Sequence, residues 1–378
     1  MPNGYHISAY YFPNYHSDPR NEKLYGAGWT EWQLVRQAQP RFPGHRQPRV
    51  PLWGYEDEAD PTIFARKIDA AADHGLDSFI FDWYWYDNLP FLNRALEHGY
   101  LHAPNRDRLK FALMWANHDW VDIMPLKRSD RAAPRLLYPG NVSLQSFLDA
   151  IDYVIETYFK APSYWLIDGC PYFSIYELYR IVQSFGGIEA ARQALDIFRR
   201  KTQAAGFPDL HLNGIIWGIQ LLPGEQSIAN PRELVAALNL DSVTSYVCIH
   251  HIEMPNFPQT SYAFVHEAIQ KYWVEASASY DVPYYPNVTV GWDATPRIAQ
   301  SDSFDPAGYP FIPTLNDSTP PAFQAALTDA KRFLDARVSQ PKILNINAWN
   351  EWTEGSYLEP DTEYGMAYLQ AIRDVFKD

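Results

Sequence analysis

The chain has 378 residues, of which 47% are hydrophobic, and its formal net charge is −14. This length suits either two ordinary domains or one large α/β barrel, which commonly needs about 250 residues or more. The negative charge argues against nucleic acid or an anionic membrane surface as partner, because phosphate contacts need clustered Lys and Arg; no apolar run approaches the roughly 18 residues of a membrane span.

Short apolar segments alternate with longer amphipathic segments along almost the whole chain. The apolar segments are rich in β-branched and aromatic residues and are often bounded by Gly, Pro, Asn or Asp, which predicts strands. These strands are expected at residues 6–13, 78–85, 110–116, 164–167 with 171–176, 211–218, 242–248, 284–291 and 342–349. The amphipathic segments predict helices at 60–75, 89–99, 144–158, 187–205, 259–279, 321–337 and 364–376.

This alternation predicts a fold of the α/β class, in which a parallel sheet closes into a single (β/α)8 TIM-type barrel domain covering residues 1–378. An open doubly wound sheet is the alternative, but no G-x-G-x-x-G follows the first strand. Segments 18–59 and 294–320, rich in Pro and Gly, are expected to be long strand-to-helix loops. Such loops form the rim of a barrel where active sites lie.

The N-terminal segment MPNGYHISAYYFP has no basic start followed by an apolar stretch, so no signal peptide is predicted. We therefore expect either a cytoplasmic protein or a trimmed secreted or periplasmic one. Cys170 and Cys248 are expected to be two buried thiols, since two cysteines make no disulfide framework in a chain of this length.

Polar and aromatic side chains follow nearly every predicted strand, at the end where a barrel carries its chemistry. Aromatic residues make up 16% of the chain, and Trp and Tyr can stack on sugar rings as well as pack in a core. Any one of these positions has an ordinary structural explanation, so the recurrence over successive strands carries the prediction. The expected substrate contacts are Tyr11, His16, Glu31, Asp82, Trp83, Trp85, Trp115, Asn117, His118, Asp119, Trp217, Tyr246, His250, Trp292, Asp293, Asn350 and Trp352.

Glu351 and Glu354 form the most informative pair, because they lie three residues apart directly after the last predicted strand. This spacing can bring both carboxylates to one side of a turn. Burial and a neighbouring negative charge both disfavour ionisation, so one glutamate could keep its proton while the other stays charged. That division into acid and base is what cleavage of a glycosidic bond requires. The alternative is an exposed loop whose acids cap a helix or bind an Arg.

Three other acids have open interpretations. Asp82 interrupts the apolar run SFIFDWYW and is either a hydrogen-bonded structural group or a substrate ligand. Asp293 could pair with Arg297 to fix its loop rather than contact substrate, and Glu31 in GWTEW is more readily a structural residue of the rim.

No metal or other cofactor is predicted. No Cys/His cluster has zinc spacing, and the doublet His250–His251 is more readily structural or substrate-contacting. A metal site from Asn117, Asp119 and Asp122 is a less favoured alternative. No G-x-S-x-G or P-loop signature is present.

Six segments together resemble the glycoside hydrolase family 99-like proteins, a group that includes WbsX-type glycosyltransferases. They are YYFPNYH, GWTEW, FIFDWYWY, WANHDW, NVTVGWDATPR and NAWNEWTEGSYLEP, and the similarity extends from about residue 6 to about residue 370. The resemblance implies a (β/α)8 barrel. It also implies that Glu354 is the general acid/base and that Glu351 is the base toward the substrate's own 2-hydroxyl, which attacks the anomeric carbon to give an anhydro-sugar, as in substrate-assisted glycosidases.

The leading prediction is therefore a retaining, metal-independent glycoside hydrolase acting on an α-linked oligo- or polysaccharide, with endo-α-mannosidase-like chemistry. A glycosyltransferase of cell-surface polysaccharide assembly is the first alternative, although neither a DxD motif in a nucleotide-sugar setting nor a diphosphate-binding loop is evident. A non-catalytic carbohydrate-binding barrel is the second, and it would not need Glu351 and Glu354. The oligomeric state and the sugar stay open.

Overall fold

The computed structural model describes residues 4–226 and 228–377. Within these ranges, one parallel sheet winds through eight positions, and we number its strands in chain order. They are β1 (Tyr5–Tyr11), β2 (Ser78–Tyr86), β3 (Lys110–Trp115), β4 (Cys170–Ile175), β5 (His211–Ile215), β6 (Ser242–Thr244), β7 in two segments (Tyr284–Tyr285 and Asn287–Thr289) and β8 (Lys342–Asn347).

The sheet returns on itself to form a nearly closed barrel. β1 pairs in parallel with both β2 and β8. The first segment of β7 pairs with β6 and its second segment pairs with β8, so the ring is interrupted at Pro286. Proline has no backbone N–H to donate to a neighbouring strand, which accounts for the break. The predicted TIM-type barrel is confirmed, while its extent as one domain stays a prediction.

Helices surround the barrel in the described part of the chain. They are α1 (Pro19–Tyr25), α2 (Trp32–Gln37), α3 (Pro61–Asp73), α4 (Leu144–Val154), α5 (Leu178–Phe185), α6 (Ile188–Ala204), α7 (Pro231–Ala237), α8 (Tyr262–Ser279), α9 (Pro320–Asp335) and α10 (Ala367–Phe376). Ala95–Tyr100 and Ile155–Phe159 are π-helical, and Arg106–Arg108, Arg128–Asp130, Cys248–His250, Thr295–Arg297 and Trp352–Glu354 are 3₁₀ turns. The Asp60 side chain caps α3 by accepting a hydrogen bond from the Thr62 N–H.

Further short strands lie outside the parallel strands of the barrel. Leu89–Phe91 runs antiparallel to β2, and Leu166–Ile167 runs antiparallel to β4. Three further pairs lie in the loops: Trp120–Val121 with Leu136–Tyr138, Gln259–Ser261 with Thr314–Asn316, and Asn350–Glu351 with Ser356–Tyr357.

Some predicted boundaries are wrong. The segment predicted as helix 89–99 begins as a strand, because Leu89–Phe91 continues the hairpin from β2, and only Ala95–Tyr100 is helical. The helix predicted from 259 begins at Tyr262, after the Ser261 side chain caps it. Segment 18–59, predicted as a loop, contains α1 and α2. Tertiary contacts override local pattern at each of these places.

Much of the aromatic content lies between the barrel and its helices. Successive side chains of a strand point to opposite faces of the sheet, so adjacent residues of β2 face the helices and the barrel interior in turn. Trp83 donates its indole N–H to the Tyr158 hydroxyl at 3.3 Å, and Trp85 donates to Ser146 of α4 at 3.1 Å. Both tryptophans therefore face the helices, whereas the residues that alternate with them along β2 face the barrel interior.

A buried ion cluster joins α3 to the barrel. The ammonium of Lys67, with 1% of its side chain exposed, lies 2.6 Å from Glu58 and 2.8 Å from Glu359. Glu58 also accepts hydrogen bonds from the Tyr11 hydroxyl and the Asn350 amide. One lysine thus holds the segment before α3 and the segment after β8 against β1.

Replacing Lys67 by Met should destabilise the protein by roughly 3–5 kcal/mol, because it leaves two buried carboxylates without a cation. Arg108→Met is the matched control, since Arg108 bonds the exposed acids Asp69 and Asp73 on the outer face of α3 and should cost no more than about 1 kcal/mol. Urea unfolding followed by circular dichroism measures both. Equal losses in the two variants would contradict the structural role of the cluster.

Candidate active site

A cavity lies at the carboxyl ends of the barrel strands. Predicted site residues from five separate parts of the chain meet in its wall, namely Asp82, His118, Asp119, Tyr246, His250, Trp292, Glu351 and Glu354. Residues that were not predicted as site residues also contribute polar groups to the lining, and these are Tyr84, Trp120, Tyr176, Arg297 and Tyr309.

The segment after β8 is folded so that both glutamates reach this cavity. Asn350–Glu351 pairs in antiparallel fashion with Ser356–Tyr357, and a 3₁₀ turn at Trp352–Glu354 connects the two. Gly355 ends the turn with a left-handed φ of 63°. A Cβ at Gly355 would come within 2.7 Å of the Asp293 side chain, so glycine is needed for both conformation and space.

Arg297 lies at the centre of the acidic side of the cavity. Its guanidinium is 2.6 Å from Glu354, 3.4 Å from Glu351 and 3.0 Å from Glu31. All four side chains are buried. The Tyr309 hydroxyl receives a hydrogen bond from Arg297 and donates one to Glu354 at 2.9 Å. A single cation therefore serves three carboxylates in a space shielded from water.

This shortage of positive charge affects the pKa of both glutamates. Burial raises the pKa of Glu351 well above its ordinary value, and the nearby charge of Glu354 raises it further. Burial also raises the pKa of Glu354, but the Arg297 charge and the Tyr309 hydrogen bond oppose the effect. Burial and the mutual repulsion of the two carboxylates thus favour retention of a proton by the pair.

Tyr246 links the pair to a third acid. Its hydroxyl lies 3.0 Å from Asp82 and 3.2 Å from Glu351. A phenol has one hydrogen to donate, so the second contact is favourable when one of the acids is itself protonated and donates to the phenol oxygen. Burial raises the pKa of Asp82 well above its ordinary value, in agreement with a proton shared in this group.

The side of the cavity near β4 and β5 carries another hydrogen-bonded group that the sequence did not reveal. The Tyr176 hydroxyl donates to Glu225 at 2.6 Å. Burial raises the pKa of Glu225 to about 7. Glu225 also accepts the backbone N–H groups of Leu221 and Leu222, so it fixes the loop after β5 against the cavity. No short motif marks Glu225, because its partners are far away in sequence.

Several predicted aromatic contacts lie on the outer face of the barrel instead. Trp83 and Trp85 face α4 and the π-helical turn after it, and Trp115 stacks on Phe147 of α4 at 6.0 Å between ring centroids. Tyr11 contacts Phe64 of α3 and bonds Glu58. The expectation that these four residues touch substrate is corrected for this cavity, because strand alternation turns them away from it.

Other predicted residues fix the strand ends rather than line the cavity. The Asn117 side chain exchanges two hydrogen bonds with the backbone of Glu177. Asn350 exchanges two with the backbone of Phe12, and the Trp352 indole donates to Glu359 at 2.7 Å. These contacts hold neighbouring loops together at the rim.

The remaining predicted positions are also behind the wall. His16 is completely buried away from the lining, and burial lowers its pKa to about 3. Trp217 lies next to the cavity residues, 4.8 Å from the Tyr176 ring and 5.3 Å from the His250 ring between centroids, without lining the cavity itself. Glu31 reaches the site indirectly, through Arg297.

The alternative pairing of Asp293 with Arg297 is not formed. Asp293 accepts hydrogen bonds from His45, Gln47 and Thr295, while Arg297 bonds the glutamates. Burial alone would raise the pKa of Asp293, but these contacts hold it below its ordinary range. Asp293 therefore anchors the long loop after β1.

The less favoured metal alternative has no supporting geometry. Asp119 faces Arg180 at 3.3 Å, whereas Asp122 bonds Arg135 at 2.9 Å, and the Asn117 amide is used by Glu177. Within residues 4–226 and 228–377, no group of three His, Cys, Asp or Glu side chains is arranged to hold a metal ion. In the same ranges, no helix is both long enough and apolar enough to cross a membrane.

Solved structures with the same fold include glycoside hydrolases. The GH99 endo-alpha-mannosidase from Bacteroides thetaiotaomicron aligns with a TM-score of 0.59 at 15% identity, covering 98% of this chain and 96% of that one. A glycoside hydrolase-like protein aligns with a TM-score of 0.59 at 16% identity, covering 98% and 94%. At these identities the similarity establishes the barrel fold.

Sequence comparison identifies the family. Two strains of Xanthomonas campestris pv. campestris carry a relative described as uncharacterized protein WxcX, which is 27% identical over 370 residues. The aligned region covers 97% of this chain and 49% of the relative, so the chain spans about half the length of the curated relatives it matches. The profile of the family described as glycosyltransferase WbsX matches residues 7–372, and the chain therefore belongs to the WbsX glycosyltransferase family.

Proposed function

We propose that this protein is a retaining glycoside hydrolase that cleaves an α-linked glycan with Glu351 and Glu354. The observation that carries the proposal is the shared contact of these two buried glutamates with Arg297, at 3.4 and 2.6 Å, in the wall of one cavity. A pair of carboxyl groups with raised pKa and too little positive charge suits proton transfer in both directions. The barrel fold shared with the GH99 endo-alpha-mannosidase agrees with this chemistry.

In the proposed mechanism, the first step breaks the glycosidic bond without an enzyme nucleophile. Glu351 accepts the proton of the substrate 2-hydroxyl, and the resulting oxygen attacks the anomeric carbon as the bond to the leaving oxygen breaks. Glu354 donates its proton to that leaving oxygen. In the second step, water attacks the anomeric carbon as the bond from that carbon to the 2-oxygen breaks, Glu354 takes the proton of the water, and Glu351 returns its proton to the 2-oxygen. Two inversions give net retention.

Residues around the pair have positioning roles in this scheme. Arg297 and Tyr309 hold the Glu354 carboxyl, and Tyr246 contacts Glu351 and Asp82. The chemistry requires the proton on Glu354 and a charge on Glu351. A substrate 2-hydroxyl that donates a hydrogen bond to Glu351 favours the charged form of that residue.

A second candidate is glycosyl transfer, which the family description favours. A nucleotide-sugar donor needs cations for its diphosphate. Among the described residues that line the cavity, Arg297 is the one arginine or lysine, and its N–H groups are already used by carboxylates. Hydrolysis therefore fits the charge of the site better. A purely carbohydrate-binding role would leave the buried acidic pair without a purpose.

The first test is sugar release from a panel of α-linked bacterial, yeast and plant glycans, with no nucleotide sugar added. We expect the wild type to release sugar from at least one glycan and Glu354→Gln to release far less, by about 100-fold or more, because the leaving oxygen loses its acid. Glu97→Gln is the control, since Glu97 bonds Tyr153 and Tyr158 on the outside of the barrel. Equal release by the wild type and Glu354→Gln would refute the assignment.

The two glutamates should differ in how they respond to the leaving group. Glu354→Gln should recover much of its activity on aryl glycosides with activated leaving groups, since such groups depart without protonation. Glu351→Gln should stay inactive on both kinds of substrate, because no base then prepares the 2-hydroxyl. Chromogenic and natural substrates compared at equal enzyme concentration decide this. Recovery of activity by Glu351→Gln rather than by Glu354→Gln would mean that the acid and base roles of the two glutamates are the reverse of those proposed.

The pH dependence of kcat/KM should be bell-shaped, because the active pair carries one proton. Activity is lost below the lower pKa, where both glutamates are protonated, and above the upper pKa, where both are charged. Arg297 lowers both values, so Arg297→Gln should move the bell to higher pH. Arg128→Gln, in an exposed pair with Asp305, should leave the bell in place. Thermal melting confirms folding, and an unmoved profile in folded Arg297→Gln would contradict this role.

A further inference from the structure

The cavity has two chemically different sides. The acidic side carries Asp82, Glu351 and Glu354, as described above. The end of β3 and the loop that follows it supply His118, Asp119 and Trp120 to the lining together with a group of aliphatic side chains, and we call this aliphatic group the aliphatic wall. It consists of Met114, Ala116, Val121, Ile123 and Met124. None of these side chains has an O–H or N–H group to offer a ligand.

The aliphatic wall begins directly beside the acids. Met114 on β3 is the register partner of Asp82 on β2, so the two side chains enter the barrel next to each other. Ala116 follows two residues later on the same face. Met114, Ala116, Ile123 and Met124 are each at most 6% exposed, so this side is shielded from water.

A hydroxyl of an ordinary hexose finds no hydrogen-bond partner among the five side chains of the aliphatic wall. Each ring hydroxyl that is taken out of water needs a partner, and a buried hydroxyl without one weakens binding by about tenfold or more. Flat aromatic rings can cover the C–H face of a sugar. Flexible Met and branched Val and Ile side chains instead surround a small apolar group, which points to a methyl substituent.

The mechanism restricts where that methyl group can be. Attack by the 2-hydroxyl requires a free oxygen at C2, which excludes a 2-acetamido sugar. An acetamido group elsewhere would bring an N–H and a C=O that the aliphatic wall cannot bond. The C5-methyl of a 6-deoxyhexose brings no polar atom and leaves the 2-hydroxyl free.

We propose that the cavity binds a 6-deoxyhexose as the sugar whose glycosidic bond is cleaved, with its C5-methyl against the aliphatic wall. The inference rests on the proposed function for the placement of the 2-hydroxyl and on the lining of the cavity for the methyl. It narrows the substrate from any α-linked glycan to polysaccharides that contain 6-deoxy sugars.

The test measures binding rather than turnover. Methyl α-glycosides are prepared as matched pairs that differ only in the oxygen at C6, in the D-manno, D-gluco, D-galacto, L-manno and L-galacto configurations. Titration calorimetry with Glu354→Gln prevents turnover during the measurement. In the configuration that binds, the 6-deoxy sugar should bind at least about tenfold tighter than its hydroxylated partner, because the hydroxyl would be buried unpaired.

Variants of the wall test its part in the preference. Met114→Gln and Val121→Thr are close in volume to the native side chains and add a hydrogen-bonding group, so each should bring the ratio of the two affinities toward one. Met366→Gln is the control, because Met366 packs outside the cavity just before α10. Equal or tighter binding of the hydroxylated sugars by the parent protein would overturn the proposal, as would binding of no pair at millimolar sugar.

Failure of this inference is distinct from failure of the hydrolase assignment. A protein that releases hydroxylated hexoses as readily as 6-deoxyhexoses is a hydrolase without the proposed selectivity. A protein that prefers 6-deoxy sugars in binding but whose wild type releases none retains the selectivity and loses the hydrolytic role.

Discussion

The contact of Arg297 with three buried carboxylates is the constraint on which the structure at the carboxyl ends of the barrel strands depends. Glu31 comes from the loop after β1, Arg297 from the loop after β7, and Glu351 and Glu354 from the segment after β8. These are the strands that meet where the ring closes. The guanidinium therefore joins the first and last parts of the chain at the position where the chemistry is proposed, and any charge imbalance there acts on both stability and proton affinity.

Burial at this place has a chemical consequence that an exposed site would lack. One cation cannot neutralise three carboxylates, and burial weakens screening by water, so retention of protons lowers the charge of the group. Asp82, which is hydrogen-bonded to Tyr246, adds another buried carboxyl group to the same cavity and so increases the shortage of positive charge. In contrast, the ammonium of Lys67 lies between Glu58 and Glu359 on the outside of the barrel and has a structural role. The two clusters contain similar types of residue but have different roles.

The sequence predicted the barrel well because its signals are local. Strand composition, the Asp60 cap and the acids after β8 can all be recognised within a few residues. Strand alternation could have corrected one error, since Asp82 facing inward already places Trp83 and Trp85 outward. The roles of Arg297, Tyr309 and Glu225 could not be predicted, because their partners are brought together by long loops whose paths depend on tertiary contacts.

The charge of the cavity also bears on the relation between hydrolysis and transfer. In the proposed mechanism the anhydro-sugar has no covalent bond to the protein, so its fate depends on which hydroxyl Glu354 activates. Water gives hydrolysis, and a sugar hydroxyl held at the same position gives transfer between glycans without any nucleotide. The choice between hydrolysis and transfer in this proposed mechanism therefore depends on whether water or an acceptor sugar occupies that position, rather than on the arrangement of the catalytic pair.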